Sequence, residues 1–141
     1  TGERNVYTLA PRARVLCLAP SADDLLVQTA AVLASGGTAL WPSAQASLHA
    51  KLPTQVQAQV TLQDNVLSNA AVALDAVLHH GDAPALQTVC TALAQRPDPI
   101  VGVTALPPGA VDIPLERLLI ERALSVNTAA AGGNASLMTI G

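Results

Sequence analysis

The sequence has 141 residues, 7 of them basic and 10 acidic, and a net charge of −3. Half of the residues are apolar and 12% are charged, which gives one domain enough apolar material for a core of its own. Because Lys51 is the only lysine and the arginines form no stripe, the composition argues against nucleic-acid binding. No apolar run is long enough to span a bilayer and no export signal opens the chain, so we expect a cytoplasmic protein without membrane contact of its own.

Strand and helix patterns alternate along the first part of the chain. The apolar run 14–19 predicts a buried strand. Ser21, followed by an acidic first turn, begins a helix pattern that stops at the glycine pair 36–37. Residues 38–41 predict a second strand, so this stretch has the length of a strand-helix-strand unit with parallel strands.

The same alternation continues with weaker boundaries. The remaining patterns predict helices over 43–51, 65–74, 83–94 and 115–124, and strands over 56–62, 75–79, 100–103 and 125–128. Strands that alternate with helices at this spacing predict an α/β fold, an open and mostly parallel Rossmann-like sheet with helices on both faces. The last segment, 129–141, shows no period and is predicted to form an extended C-terminal arm.

Several segments resemble the NAD-binding domain of aldehyde dehydrogenases. That family carries Pro-Trp-Asn-Phe-Pro after the first strand and Lys-Pro-Ser after the second, where this sequence has Pro20-Ser21-Ala22-Asp23-Asp24 and Trp41-Pro42-Ser43. The resemblance implies that Ala22 replaces the asparagine that helps to hold the aldehyde oxyanion, and that Trp41 replaces the lysine that binds the cofactor ribose. We therefore expect no catalytic residue in this chain.

The resemblance extends to the phosphate-binding turn. Residues 79–86 lie where the family has Phe-Thr-Gly-Ser with a second glycine four positions on, and here that second glycine is Leu86. Asp82 would place a carboxylate at the mouth of the next helix, where a pyrophosphate should meet the positive end of the helix dipole. The expectation is that this domain binds neither NAD nor FAD. Cys17 and Cys90 are both predicted to be reduced core residues, because each lies in an apolar periodic segment and neither belongs to a Cys-x-x-Cys or ligand-spaced cluster. No base is placed to activate Cys90.

The two ends of the chain are similar to the C-terminal region of the bacterial proline utilization A family. The similar segments are Gly2-Glu3-Arg4-Asn5-Val6-Tyr7, Leu9-Ala10-Pro11-Arg12 and the tail 125–141, SVNTAAAGGNASLMTIG. The resemblance implies an aldehyde-dehydrogenase-like domain that follows proline dehydrogenase and L-glutamate-γ-semialdehyde dehydrogenase modules. Those modules oxidise proline to glutamate with FAD and NAD.

In that family the terminal domain is noncatalytic, which implies a domain at 1–128 and a docking arm at 129–141. The domain would cover the tunnel between the two active sites, and the arm would dock on the catalytic dehydrogenase module of the same or a neighbouring chain. The predicted docking residues are Asn127, Gly132, Gly133, Asn134, Leu137, Met138 and Ile140. The resemblance also allows the parent protein a peripheral position at the inner membrane.

The sequence alone leaves other interpretations of these residues open. The arm is equally explained as a frayed end, and Asn127 and Asn134 as turn or cap residues. His79 and His80 suggest a metal site, but neighbours on a strand point to opposite faces, which argues against shared ligation. Trp41 is either a core residue at the edge of the sheet or an interface anchor. The whole domain has two rival interpretations, a degenerate nucleotide-binding module that senses NAD or FAD and a pure oligomerisation domain.

Overall fold

The computed structural model describes residues 3–127, which divide into two compact units, 11–119 and 3–10 with 120–127. In chain order the strands are β1 (Glu3–Pro11), β2 (Arg14–Leu18), β3 (Thr38–Trp41), β4 (Val60–Leu62), β5 (Ala76–His80), β6 (Gly102–Leu106) and β7 (Leu119–Asn127). The α-helices are α1 (Ala22–Ala34), α2 (Ala46–His49), α3 (Thr54–Gln57) and α4 (Ala83–Ala94), with short 3₁₀ turns at Ser43–Gln45 and Leu115–Leu118. Within residues 3–127, none of the helices is long and apolar enough to cross a membrane.

The larger unit is built on a five-stranded parallel sheet of order β4-β3-β2-β5-β6. Val15 at the centre of the sheet lies opposite Ala39 on one side and Ala76 on the other. From β2 the chain adds strands in one direction, and at β5 it crosses to the other side of β2 and builds outward again. The predicted fold class is confirmed: this is the doubly wound, Rossmann-like arrangement, in which the direction of winding reverses between β2 and β5.

Helices cover both faces of this sheet, as predicted. Right-handed crossovers that run in opposite directions must place their helices on opposite sides. On one face Val15 and Cys17 belong to the same buried cluster as Leu25 of α1. On the other face Leu16 belongs to a cluster with Val89 of α4. Apolar side chains therefore alternate along β2 into two cores, and this explains why the strand has no polar side.

The predicted boundaries of α1 are confirmed by its caps. The Ser21 hydroxyl accepts a hydrogen bond from the Asp24 backbone N–H at 3.1 Å, which satisfies a donor that the first helical turn leaves free. After the helix Gly36 has a φ of +88°, a conformation that glycine adopts without strain. A Cβ on Gly37 would lie 2.5 Å from the Arg12 carbonyl oxygen, so this position also requires glycine.

The predicted helix over 115–124 is wrong. Only Leu115–Leu118 forms a short 3₁₀ turn, and the chain then continues as strand β7, which pairs with β1 in a two-stranded sheet. The helical spacing of the apolar residues is real, but pairing with Glu3–Pro11, a segment more than a hundred positions away, outweighs this local preference. Strand β1 itself is an element that the sequence pattern did not predict.

The middle of the chain holds less regular structure than predicted. Residues 65–74 form turns and no helix, and Thr54–Gln57 is a helical turn, so only Val60–Leu62 of the predicted strand over 56–62 pairs. The predicted strand over 100–103 begins and ends later, at Gly102–Leu106. Pro53 accounts for the shortening of the predicted strand over 56–62. It precedes the helical turn Thr54–Gln57, and proline fits the position before the first turn of a helix.

Arg96 explains the shape of the segment 65–74. Its guanidinium donates to the backbone carbonyls of Val66, Asn69 at 3.0 Å and Val72 at 2.9 Å, and pairs with the Asp98 carboxylate at 2.5 Å. A single side chain thus supplies the donors that a helix would have supplied internally. Hydrogen bonding to Arg96 also lowers the pKa of Asp98.

Candidate functional site

A cleft of about 730 Å³ opens at the carboxyl ends of β2 and β5. This is the point where the winding direction of the sheet reverses, and crevices at that point are where open α/β sheets bind their ligands. The cleft is lined by Cys17, Leu18, Ala19, Pro20, Leu25, Pro42, Gln45, Leu67, His79, His80, Gly81, Asp82, Ala85, Thr88, Val89 and Pro108. Most of these side chains are apolar, and none of the described residues that line the cleft is lysine or arginine.

Asp82 occupies the helix end that faces this cleft, as the sequence predicts. It is the N-cap residue of α4, and its Oδ1 accepts a hydrogen bond from the Ala85 backbone N–H at 2.9 Å. The positive end of the helix dipole is thereby matched to a carboxylate of the chain itself. A phosphate at this position would meet that negative charge, and the described residues that line the cleft supply no lysine or arginine to offset it.

His79 is one of two buried histidines that line the cleft, the other being His80. It is 5% exposed, its ring lies against Gly81, and its Nδ1 is buried with no hydrogen-bond partner among the described residues. Burial lowers the pKa of His79 and the neighbouring His80 lowers it further, whereas the Asp82 carboxylate opposes the shift. His79 is therefore a neutral imidazole at neutral pH, and it lies close enough to Asp82 to feel its charge.

His80 points to the opposite face of the sheet from His79, as predicted for neighbours on a strand. Its Nδ1 accepts from the Gln28 side-chain amide at 2.8 Å, so its Nε2 carries the proton and donates to the Ala110 carbonyl at 2.9 Å. Asp24 continues this network by accepting from the Gly109 N–H at 3.0 Å. The network fastens the loop that follows β6 across one end of the cleft.

Sequence reasoning missed this network, although the sequence contains a signal for it. Asp24 and Gln28 lie four positions apart on the buried stripe of α1, among Leu25 and Val32. Buried polar side chains at helical spacing need partners from another element. The partners, His80 and the loop after β6, come from distant parts of the chain, so the pattern alone could not identify them.

Two positions where the resemblance implied lost chemistry are structural in this chain. Ala22 is the first residue of α1 and offers no side-chain donor. Trp41 is fully buried in the core, and its indole Nε1 donates to the Thr29 hydroxyl at 2.9 Å. Since β3 is an interior strand of the sheet, the interpretation of Trp41 as core is confirmed, without the edge position that was expected for it.

The prediction that both cysteines are core residues holds for one of them. Cys17 is fully buried, and burial raises the pKa of its thiol to about 12. Cys90 is exposed, since it lies on α4, a helix in which only Val89 is buried. Within residues 3–127, no group of three or more histidine, cysteine, aspartate or glutamate side chains is placed to hold a metal ion.

The second unit contains an apolar ribbon, the two-stranded sheet of β1 and β7. Tyr7 and Leu9 on one strand and Leu124 and Val126 on the other are 62%, 55%, 59% and 40% exposed. A hydrogen bond to the Glu121 carboxylate raises the pKa of Tyr7. Residues two apart on a strand share a face, so each strand presents a pair of exposed apolar side chains.

Almost all of the residues predicted to dock lie outside the part of the chain that the structure describes. Asn127 is the last residue of β7. Gly132, Gly133, Asn134, Leu137, Met138 and Ile140, and with them the predicted boundary between domain and arm at 128, lie outside the described residues. Their docking role stays a prediction.

The chain is similar along its whole length to bacterial proteins named bifunctional protein PutA. It is 54% identical to the Salmonella typhimurium protein over 143 residues and 51% identical to the Escherichia coli protein over 145 residues, covering 100% of this chain and 11% of each relative. Identity to the Rhizobium meliloti protein is 38% over 148 residues, covering 99% of this chain and 12% of the relative. No family model matches the chain. The chain is thus homologous to proline utilization A proteins and spans only about 11% of their length.

Proposed function

We propose that this chain is the noncatalytic C-terminal domain of a cytoplasmic proline utilization A enzyme. In this proposal it covers the tunnel between the two active sites and docks on the catalytic dehydrogenase module through the ribbon and the segment 129–141. The parent enzyme would oxidise proline to glutamate, with FAD and NAD held by its other modules. The whole-length similarity to part of the PutA relatives supports membership in such an enzyme.

The exposed apolar ribbon is the observation that carries the docking role. A two-stranded sheet is marginally stable by itself in water, and this one exposes Tyr7, Leu9, Leu124 and Val126 to solvent. Burying side chains of this size against a partner would contribute about 25 cal/mol for each Å² of apolar surface removed from water. The ribbon therefore gains stability from a partner that the catalytic module would supply.

The geometry of the cleft supports a noncatalytic role. Asp82 places a carboxylate at the end of α4 that would receive a pyrophosphate, and no lysine or arginine among the described lining residues offsets that charge. This arrangement argues against a domain that senses NAD or FAD. It is compatible with a lid, because a lid needs no contact with a cofactor.

The proposal is tested in a full-length enzyme. In the Salmonella typhimurium relative, this chain replaces the segment with which it aligns. A second version of this chimeric protein also carries Leu9→Ser and Leu124→Ser. Proline is supplied, and the lag before NADH appears is compared with the separate proline dehydrogenase and semialdehyde dehydrogenase rates. We expect the apolar-to-serine variant and a protein lacking residues 129–141 to show a new lag or a lower semialdehyde dehydrogenase rate.

Matched variants separate docking from general damage. Thr8→Ala with Ala123→Ser alters the alternate positions of the same two strands, which are exposed and do not belong to the apolar pairs, and it should leave the lag unchanged. Unchanged kinetics in the apolar-to-serine protein and in the truncated protein would refute the lid role. A change of oligomeric state with intact coupled turnover would instead identify a pure oligomerisation domain.

A further inference from the structure

The cleft at the winding reversal has the dimensions and the wall chemistry of a small-molecule site. Its volume of about 730 Å³ lies in the usual range of ligand pockets. Leu18 and Pro20 at the end of β2 and Val89 of α4 contribute apolar walls, while His79, His80 and Asp82 bring polar groups to the end of β5. Apolar walls with a few convergent polar groups are the usual composition of a binding site.

The charge of this cleft selects against anions. Asp82 is exposed, and the described hydrogen bond occupies one oxygen of its carboxylate, Oδ1. Because the described residues that line the cleft include no lysine or arginine, an anionic ligand would be repelled and a cation would be attracted. The remaining carboxylate oxygen is suited to a charge-assisted hydrogen bond from an ammonium group.

His79 is the independent sign that the cleft takes a ligand. An imidazole that is 5% exposed and has a nitrogen without a partner among the described residues is unusual, because buried polar atoms normally have a partner in the protein, a water or a ligand. Its neutral form carries no charge to repel a cation, and it lies near enough to Asp82 to be affected by that carboxylate.

We propose that the cleft binds a small organic cation with an apolar body, its ammonium group held between the Asp82 carboxylate and the His79 imidazole and its body against Leu18 and Val89. This goes beyond the proposed function, which assigns no ligand to the domain. The occupant differs from a dinucleotide in the sign of its charge, so the two are separable by experiment.

The test uses two probes of the same shape and opposite charge, phenethylammonium and 3-phenylpropionate. The ¹⁵N-labelled 141-residue chain is titrated with each, and amide shifts at Leu18, Ala19 and Gly81 are followed by NMR. We expect saturable shifts at these amides with phenethylammonium, and binding of 3-phenylpropionate weaker by about fivefold or more. Equal binding of the two probes, or binding of neither, would overturn the proposal.

The variant Asp82→Asn tests the role assigned to the carboxylate. Asparagine is as good an N-cap residue as aspartate, so the start of α4 and the fold should be kept while the charge is removed. The preference for the cation should disappear in Asp82→Asn and persist in Glu116→Gln, which removes an exposed carboxylate that does not line the cleft. A preference that survives Asp82→Asn would also refute the assignment, and neither result bears on docking, which coupled turnover measures separately.

Discussion

Replacing Arg96 by alanine should unfold the segment 65–74 and destabilise the whole domain. The guanidinium donates to three backbone carbonyls, those of Val66, Asn69 and Val72, and its side chain is 2% exposed. Hydrogen bonds from a charged donor contribute about 1.5–3 kcal/mol each, and removing one member of a buried charged network costs about 3–5 kcal/mol. We therefore expect Arg96→Ala to lower the free energy of unfolding by about 3–5 kcal/mol.

Thermal and chemical denaturation followed by circular dichroism measure this loss. For a chain of this size the loss corresponds to a fall in Tm of roughly 10–15 °C. Hydrogen exchange should show faster exchange across residues 65–74 before the sheet opens. Arg122→Ala removes an exposed arginine of β7 and should change the free energy of unfolding by about 0.5 kcal/mol or less.

A further variant separates the ion pair from the carbonyl contacts. Asp98→Asn keeps the three carbonyl bonds and removes the charge partner of Arg96, so its effect on stability should be clearly smaller than that of Arg96→Ala. Because the pKa of Asp98 is lowered in the folded chain, the stability that this pair contributes is present above the ordinary aspartate pKa and is lost as the pH falls. If Arg96→Ala were as stable as the unsubstituted chain, Arg96 could not be the residue that organises the segment 65–74.

Three other measurements follow from single side chains. Thr29→Val leaves the buried indole N–H of Trp41 without its acceptor and should lower the free energy of unfolding by about 1–3 kcal/mol, measured by urea denaturation. Thr29→Ser keeps a hydroxyl and should retain most of that stability. A chromogenic thiol reagent should modify one thiol, Cys90, in the folded chain and a second, Cys17, only after unfolding; rapid reaction of both in the folded chain would contradict the burial of Cys17. The pKa of His79 lies below its ordinary value of 6.5 in the folded chain, so the unfolded chain binds more protons at this residue. The free energy of unfolding should therefore fall as the pH drops below about 6.5. This pH-dependent loss should be missing in His79→Gln when the Tm of both proteins is measured against pH.

The parts of the fold that the sequence predicted are those where the ends of an element carry their own signals. Ser21 with its acidic turn and the glycine pair 36–37 bound α1, and Asp82 with a proline in the first turn begins α4. These signals act within a few residues, so neither boundary depends on distant parts of the chain. The sequence therefore predicted the central strand, both long helices and the parallel class of the sheet.

The parts that it did not predict are those decided by distant partners. Residues 119–127 form a strand because Glu3–Pro11 pairs with them, and residues 65–74 avoid a helix because Arg96 binds their carbonyls. The same holds for the site: the position of Asp82 at a helix end was predicted locally, whereas the contacts of His80 depend on Gln28 and on a loop thirty positions further on. Local propensity cannot identify such partners.

The parallel-sheet unit begins and ends at neighbouring points. Near its start the Arg12 backbone N–H donates to the Leu118 carbonyl near its end at 2.8 Å, and the Arg12 Nε donates to the Arg117 carbonyl at 2.9 Å. The first and last residues of this unit therefore lie side by side, and in sequence the unit is inserted between β1 and β7. Domains with neighbouring termini are those in which domain insertion and circular permutation are best tolerated. A circular permutant of 11–119 should therefore keep the doubly wound sheet.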